Sequence, residues 1–180
     1  MTPEVLVIAI VRIAGSLPVL RWPLAGAVLA LLVDLSDLLL RDTLDLGGVP
    51  DYQALDKWLD QVYMAAFLAV AWRWSGPDRA VAVALYAFRL VGFVVFEVTG
   101  DRNVLLLFPN VFELWFLIVA ARHRWWPGAT WRPASLVIAL VALTGIKELQ
   151  EWALHGGKIF DTMSSLDFVD LVRRWLTGGP

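Results

Sequence analysis

Four aspartates on two neighbouring apolar segments are the residues whose types and spacing could do chemistry. Asp34 and Asp37 are three residues apart and share one face of a helix, and Asp56 and Asp60, four apart, share another. About a hairpin centred on residue 47, Asp34 and Asp60 both lie thirteen residues away, and the inner pair lies nine or ten away. The carboxylates can therefore meet between two antiparallel helices, where they could bind a cation, exchange protons or form a structural network of ion pairs.

The composition indicates the surroundings of these carboxylates. The chain has 180 residues, of which 59% are hydrophobic and 18% charged, against roughly 45–50% and about 25% in soluble proteins. One core of this size cannot hide so much apolar surface, so the excess must face lipid. The absence of cysteine excludes disulfides and thiolate chemistry, and the formal charge of -2 gives no indication of nucleic-acid binding.

Stretches of about 20 apolar residues bounded by proline, glycine and charge predict six transmembrane helices. We place these spans at residues 3–20, 23–43, 51–74, 77–99, 103–121 and 133–155. The remainder has apolar residues at helical spacing among charged ones, which is typical of an amphipathic helix in the membrane interface. The prediction is an all-α polytopic membrane protein, with one six-helix domain over 1–156 and an amphipathic C-terminal tail over 157–180.

Six spans put both termini on one side of the membrane, which we call side A. The loops near 22, 75 and 127 lie on the opposite side B and carry six arginines, against five Lys and Arg on side A. The positive-inside bias then predicts that side B is cytoplasmic and that the termini are extracytoplasmic, in a prokaryotic plasma membrane. The side B arginines are Arg21, Arg73, Arg79, Arg122, Arg124 and Arg132, and only Asp78 opposes them.

Charged residues within the spans carry a surplus of acid. Because a charge at bilayer depth costs roughly 3 kcal/mol on insertion scales, such residues normally pair or face water. Eight acids against four bases leave four negative charges for cations, protons or water to meet. The acids are Asp34, Asp37, Asp56, Asp60, Glu97, Glu113, Glu148 and Glu151, and the bases are Arg12, Lys57, Arg89 and Lys147.

Most of these charges fall in the side A halves of the spans, which predicts a polar cavity open to side A above an apolar floor. Pro109 frees the carbonyl of Leu105 and should kink the fifth span there. We expect the four aspartates to be the residues that bind a divalent cation, if one is bound. The full set of candidate ligand-binding residues is Asp34, Asp37, Asp56, Asp60, Arg89, Glu97, Asn110, Glu113, Lys147, Glu148 and Glu151.

Several of these residues also have a purely structural interpretation. The aspartates could form a closed network or extend to the interface. For Arg12 and Arg89 we favour pairing with carboxylates that holds the helices together. Lys147 can reach Glu151 one turn away, and Tyr63 could either orient a carboxylate or simply pack.

The segments Asp34-Leu-Ser-Asp37 and Asp56-Lys-Trp-Leu-Asp60 resemble the acidic signature of the CDP-alcohol phosphotransferases. In that family, Asp-x-x-Asp and Asp-x-x-x-Asp on successive membrane helices bind divalent metal. The resemblance implies that Asp34, Asp37 and Asp56 are metal ligands and that Asp60 is the candidate base. It covers 27 residues and departs from the family at Leu38, where the family has glycine.

Three functions stay open at this stage. The first is binding or transport of a cation, a proton or a cationic small molecule through the cavity. The second is a metal-dependent membrane enzyme acting on a lipid-linked substrate, and the third is a non-catalytic scaffold or accessory subunit. The sequence leaves open whether the chain is an enzyme, since it has no Gly-rich phosphate loop, nucleophile elbow or His-Glu-x-x-His run. The expected partner is the lipid bilayer, with a homo-oligomer or a larger membrane complex as open alternatives.

Overall fold

The computed structural model describes residues 2–43, 48, 52–101 and 103–151, and the side chains of 37–43, 52, 53, 103 and 151 lie outside that description. Every regular element in this part of the chain is helical, which confirms the all-α prediction there. The predicted tail over 157–180 lies outside the described residues. The helices are α1 (Pro3–Ser16), which continues as a 3-10 turn (Leu17–Leu20), α2 (Pro23–Thr43), α3 (Tyr52–Ala71), α4 (Gly76–Thr99), α5 (Asn103–Leu107), α6 (Val111–Trp125) and α7 (Pro133–Glu151).

Three helical segments are long and apolar enough to span a membrane. They are Pro3–Leu20, Gly76–Thr99 and Pro133–Gln150, with 18, 24 and 18 residues. α2 contributes a shorter apolar stretch, Pro23–Ser36. Large aliphatic side chains on the outer faces of these helices are exposed and have no core to enter, so lipid is their natural surrounding. They include Leu6, Ile10, Leu17, Val91, Val94, Val98, Val137, Ile138 and Val141.

The predicted fifth span over 103–121 is wrong as a single helix, because the chain forms two helices, α5 and α6, separated at Pro109. Proline has no N–H and its ring clashes with the carbonyl one turn earlier, so the helix stops there instead of kinking. The carbonyls of Leu105 and Phe108 accept hydrogen bonds from Nη1 of Arg89, at 3.5 and 2.6 Å. A side chain from α4 therefore satisfies the backbone that the break exposes.

Gly92 on α4 leaves room for Phe108, which lies in the connection between α5 and α6. A Cβ atom built at this glycine would overlap the side chain of Phe108. The missing side chain allows Phe108 to pack on α4, where its ring lies 4.7 Å from that of Phe88. The Phe108 carbonyl is thereby held beside Arg89, one turn before Gly92 on the same helix.

An aromatic core joins α3 and α6. The rings of Phe67 and Phe116 stack at 4.3 Å, and Trp74 stacks on Phe116 at 5.1 Å. Phe67, Phe112 and Phe116 are fully buried. α1 packs against α2 and α3, and α6 packs against α2, α4 and α7. Along α3 and α6, this aromatic core lies between the polar residues and side B. An apolar floor is predicted at that level.

Candidate functional site

The carboxylates of α2 and α3 converge on one guanidinium from α1. Arg12 Nη1 donates to Asp56 Oδ1 at 3.0 Å, and Nη2 donates to Asp60 Oδ1 at 2.7 Å. Nη2 also forms an ion pair with Asp34. Arg12 can reach all three because α1 packs against both helices, and a planar group with five N–H donors can contact several carboxylates at once. The structural pairing predicted for Arg12 is thus present.

Lys57 approaches the same carboxylates from another direction. Its Nζ donates to Oδ2 of Asp56 at 2.7 Å and to Oδ2 of Asp60 at 3.0 Å. Each of these two carboxylates therefore directs one oxygen to Arg12 and the other to Lys57. One oxygen from each of Asp34, Asp56 and Asp60 lies within 4.8 Å of the others, a spacing at which they could hold a metal ion. The structure thus brings together three of the four predicted aspartates, and the side chain of Asp37 lies outside the description.

A second cluster forms around Glu113 at the start of α6. Its Oε1 accepts hydrogen bonds from the Tyr63 hydroxyl and from Asn110 Nδ2, the latter at 2.6 Å. Its Oε2 accepts from Lys147 Nζ at 3.0 Å. Lys147 also donates to Gln150 at 3.4 Å. This cluster connects α3, α6 and α7, so Tyr63 holds Glu113 and not an aspartate, and Lys147 pairs across helices.

Arg89 and Asn110 each have polar side-chain atoms without a hydrogen-bond partner in these two clusters. Arg89 is 5% exposed and donates through Nη1 to two carbonyls. No carboxylate of a described residue pairs with it, so the ion pair predicted for Arg89 is not found in this part of the chain. Asn110 is 3% exposed, and its Oδ1 has no hydrogen-bond partner among the described residues.

All these groups except Arg12 line one partly open cavity of about 290 Å³. Arg12 lies behind its aspartates, with a side chain that is 2% exposed. The volume is close to the lower limit of small-molecule sites, roughly 300–1,000 Å³, and exceeds what a single ion needs. The lining residues are Leu31, Asp34, Leu35, Asp56, Lys57, Asp60, Tyr63, Arg89, Leu105, Asn110, Glu113, Leu114, Lys147 and Gln150.

The charges of the described site balance when every group is ionised. Four acids face four bases: Asp34, Asp56, Asp60 and Glu113 against Arg12, Lys57, Arg89 and Lys147. The predicted surplus came from four further acids. Glu97 and Glu148 are exposed on α4 and α7 and do not line the cavity, and the side chains of Asp37 and Glu151 lie outside the described residues.

A polar network that the sequence analysis missed lies at the opposite end of the molecule. Asp78, 5% exposed at the start of α4, accepts a hydrogen bond from Trp131 Nε1 at 2.7 Å. It also contacts His123 Nε2 at 2.7 Å and pairs with Arg122. Trp115 Nε1 donates to the Asp78 carbonyl at 3.1 Å. The one sequence signal was that Asp78 is the only acid among the side B arginines.

A second missed contact joins Gly48, which lies between α2 and α3 in the sequence, to the start of α1. The Gly48 N–H donates to Oε2 of Glu4 at 2.9 Å, and the Thr2 hydroxyl donates to the Gly48 carbonyl at 2.8 Å. Glu4 is 1% exposed. The contact spans more than forty residues and leaves no local signal in the sequence.

No protein-family model matches the chain, and neither the curated proteins nor the solved structures contain a significant match. The resemblance to the CDP-alcohol phosphotransferases therefore rests on the spacing of the aspartates alone. The structure adds that Arg12 and Lys57 occupy both oxygens of Asp56 and of Asp60. A metal ion at this cluster has to compete with those two side chains.

Proposed function

We propose that this chain is a membrane protein that binds a cation, a proton or the cationic group of a small molecule in the cavity, in the service of transport. The observation that carries the proposal is the position of Lys57. Its ammonium bridges Asp56 and Asp60 on the cavity side of the cluster. A cationic ligand can replace this ammonium one for one, so the carboxylates keep a counter-charge throughout.

The two bases of the cluster are suited to different tasks. The Lys57 side chain is 24% exposed, and a compact ammonium on a flexible stem can leave without rearranging the helices. The Arg12 side chain is 2% exposed and contacts three carboxylates from two helices. In this proposal Arg12 holds the aspartates in place and Lys57 occupies the ligand position until a ligand arrives.

The test uses purified full-length protein in nanodiscs, with thermal stability followed against ethanolamine, Mg²⁺, Mn²⁺, Ca²⁺ and pH. We expect ethanolamine to raise Tm, because a ligand that binds only the folded state stabilises it. The substitution Asp60→Asn should abolish this shift. Lys57→Met should lower Tm without ligand and lower the Kd of ethanolamine about tenfold, since it removes the internal competitor.

The matched control is Glu148→Gln, an acid on α7 that is exposed and outside the cavity. Its ligand-dependent shift should equal that of the unsubstituted protein. The proposal is wrong if no cation and no pH change shifts Tm, or if Asp60→Asn leaves the shifts unaltered.

The second candidate function, metal-dependent chemistry on a lipid-linked substrate, is favoured by one observation. Three carboxylate oxygens of Asp34, Asp56 and Asp60 lie within 4.8 Å of one another. The family resemblance implies a metal there and Asp60 as base. Stabilisation by Mg²⁺ or Mn²⁺ but not by ethanolamine, together with a lipid that copurifies, would favour this function over the first.

The open cavity argues against the third candidate, a closed structural network.

We further propose that α2, α3 and the α5–α6 pair complete six spans, with the cavity open to side A and side B in the cytoplasm of a prokaryotic cell. Exposed Leu29 and Leu32 on α2, which do not line the cavity, support a lipid-facing surface on this helix. Because the chain has no cysteine, single cysteines are clean reporters of orientation. In intact cells, Thr99→Cys should react with a membrane-impermeant maleimide and Ser75→Cys should not. The reverse labelling would overturn this orientation.

A further inference from the structure

Resting on the proposed function, we propose that the ligand is a zwitterion. Its ammonium group binds at the aspartates of α2 and α3, and its anionic group, a carboxylate or a phosphate, binds Arg89. The two ends of the ligand thus meet opposite charges on two walls of one cavity. Three independent observations carry this inference: the donors of Arg89, the unpaired oxygen of Asn110 and the charge balance of the site.

Arg89 provides the anion-binding end. It lines the cavity and is 5% exposed. Among the described residues, Arg89 donates hydrogen bonds only through Nη1, to the carbonyls of Leu105 and Phe108. Nε and Nη2 donate no hydrogen bond to a described residue. A buried guanidinium is stabilised most by an anion, and its planar pair of N–H groups matches the two oxygens of a carboxylate or phosphate.

Asn110 provides a separate indication that a ligand donates hydrogen bonds in this cavity. Its Nδ2 is fixed by two acceptors, Glu113 Oε1 at 2.6 Å and the Tyr63 hydroxyl at 3.4 Å. That arrangement sets the orientation of the amide. Its Oδ1 is buried without a partner among the described residues, although buried polar atoms are normally hydrogen-bonded. Because Asn110 lines the cavity, an N–H or O–H group of a bound ligand could supply the missing donor.

The charge balance distinguishes a zwitterion from a simple ion. Counted with every group ionised, the described site has four acids against four bases. While Lys57 stays in the cluster, a bare cation adds one positive charge to this count and a bare anion adds one negative charge, in surroundings of low dielectric. A zwitterion adds no net charge and satisfies both ends. The cavity of about 290 Å³ also has room for a small molecule that carries both groups.

The same chemistry occurs in two sources, a free small molecule and the headgroup of a zwitterionic lipid. The experiment therefore compares ethanolamine, inorganic phosphate and phosphoethanolamine as soluble probes, with full-length protein in phosphatidylglycerol nanodiscs. A parallel set uses nanodiscs that contain phosphatidylethanolamine. The readouts are the Tm shift and the Kd of each soluble probe.

We expect phosphoethanolamine to bind at least tenfold more tightly than either ethanolamine or phosphate. Arg89→Gln should abolish this advantage, so that phosphoethanolamine binds no more tightly than ethanolamine, whereas Asp60→Asn should abolish the binding of both amines. Arg79→Gln, an exposed arginine on the same helix, should change none of these values. A Tm rise in phosphatidylethanolamine nanodiscs that depends on Arg89, without an effect of soluble phosphoethanolamine, would identify the lipid headgroup as the source.

The outcomes separate this inference from the function on which it rests. If ethanolamine binds but phosphoethanolamine and phosphatidylethanolamine have no advantage, the zwitterion is excluded and cation binding stands. The zwitterion is also excluded if the advantage persists in Arg89→Gln. If neither amine binds and neither lipid matters, both proposals fall. Should Arg89→Gln not fold, Arg89→Lys keeps a donor for the Phe108 carbonyl, and the discrimination by the unsubstituted protein remains a complete test.

Discussion

Arg12→Met is expected to lower the free energy of unfolding by about 3–5 kcal/mol, the range for removing one partner of a buried ion pair. Methionine keeps much of the volume of the side chain and removes its charge. The three carboxylates that Arg12 contacts, Asp34, Asp56 and Asp60, then repel one another. Among the described residues, Lys57 is the base that still pairs with this cluster. Reversible unfolding in a bicelle or mixed-micelle system would measure the change.

Two further variants separate charge from packing. Arg12→Lys should lie between the native protein and Arg12→Met, because a single ammonium cannot span three carboxylates. The double variant Arg12→Met with Asp60→Asn should recover part of the loss, because it removes one repelling charge. Arg21→Met replaces an exposed arginine and should change stability by no more than about 0.5 kcal/mol. A native-like stability for Arg12→Met would contradict the role assigned to the guanidinium.

Glu113→Gln is expected to have an effect of similar size, about 3–5 kcal/mol, because it leaves the buried ammonium of Lys147 without its carboxylate. The amide can still accept from Tyr63 and Asn110 through its oxygen, but its NH₂ group then faces the Lys147 ammonium. α7 is mostly exposed in this structure, so this ion pair is a principal polar attachment of the helix. Proteolysis between α6 and α7 should accelerate.

A double-mutant cycle tests the pair directly. Glu113→Gln combined with Lys147→Met should be much more stable than the sum of the two single losses predicts, because neither charge is left alone. Glu148→Gln is the control, since this acid is the neighbour of Lys147 on α7 and is exposed. Additive losses in the cycle would show that the two side chains do not act as a pair.

The positions of proline made three helix starts readable from the sequence. α1, α2 and α7 begin at Pro3, Pro23 and Pro133, where the missing N–H has no helical partner in any case. The break at Pro109 was underestimated. Whether a proline kinks a helix or ends it depends on what satisfies the exposed carbonyls, and here that group is Arg89, twenty residues earlier in the chain.

The depth of the acids could be predicted, but their partners could not. Counting from the hairpin put Asp34 and Asp60 at one level, and both contact the same nitrogen of Arg12. Lys147 shows the limit, since the sequence indicated only that it can reach Glu151, one turn away on its own helix. Its observed partner, Glu113, lies on another helix. Spacing along one helix is visible in a sequence, whereas the choice of neighbouring helices is set by packing.

The buried network at Asp78 has a mechanical consequence for the whole bundle. Arg122, its member on α6, lies nine residues after Glu113, which is roughly 14 Å along the helix. One carboxylate there holds the first turn of α4, the last turn of α6 and the connection to α7, and stacked rings fill the space in between. The helices are therefore joined by polar contacts and stacked rings at one end and enclose a partly open cavity at the other. We therefore expect a movement of the helices that widens the cavity to leave the contacts of Asp78 in place.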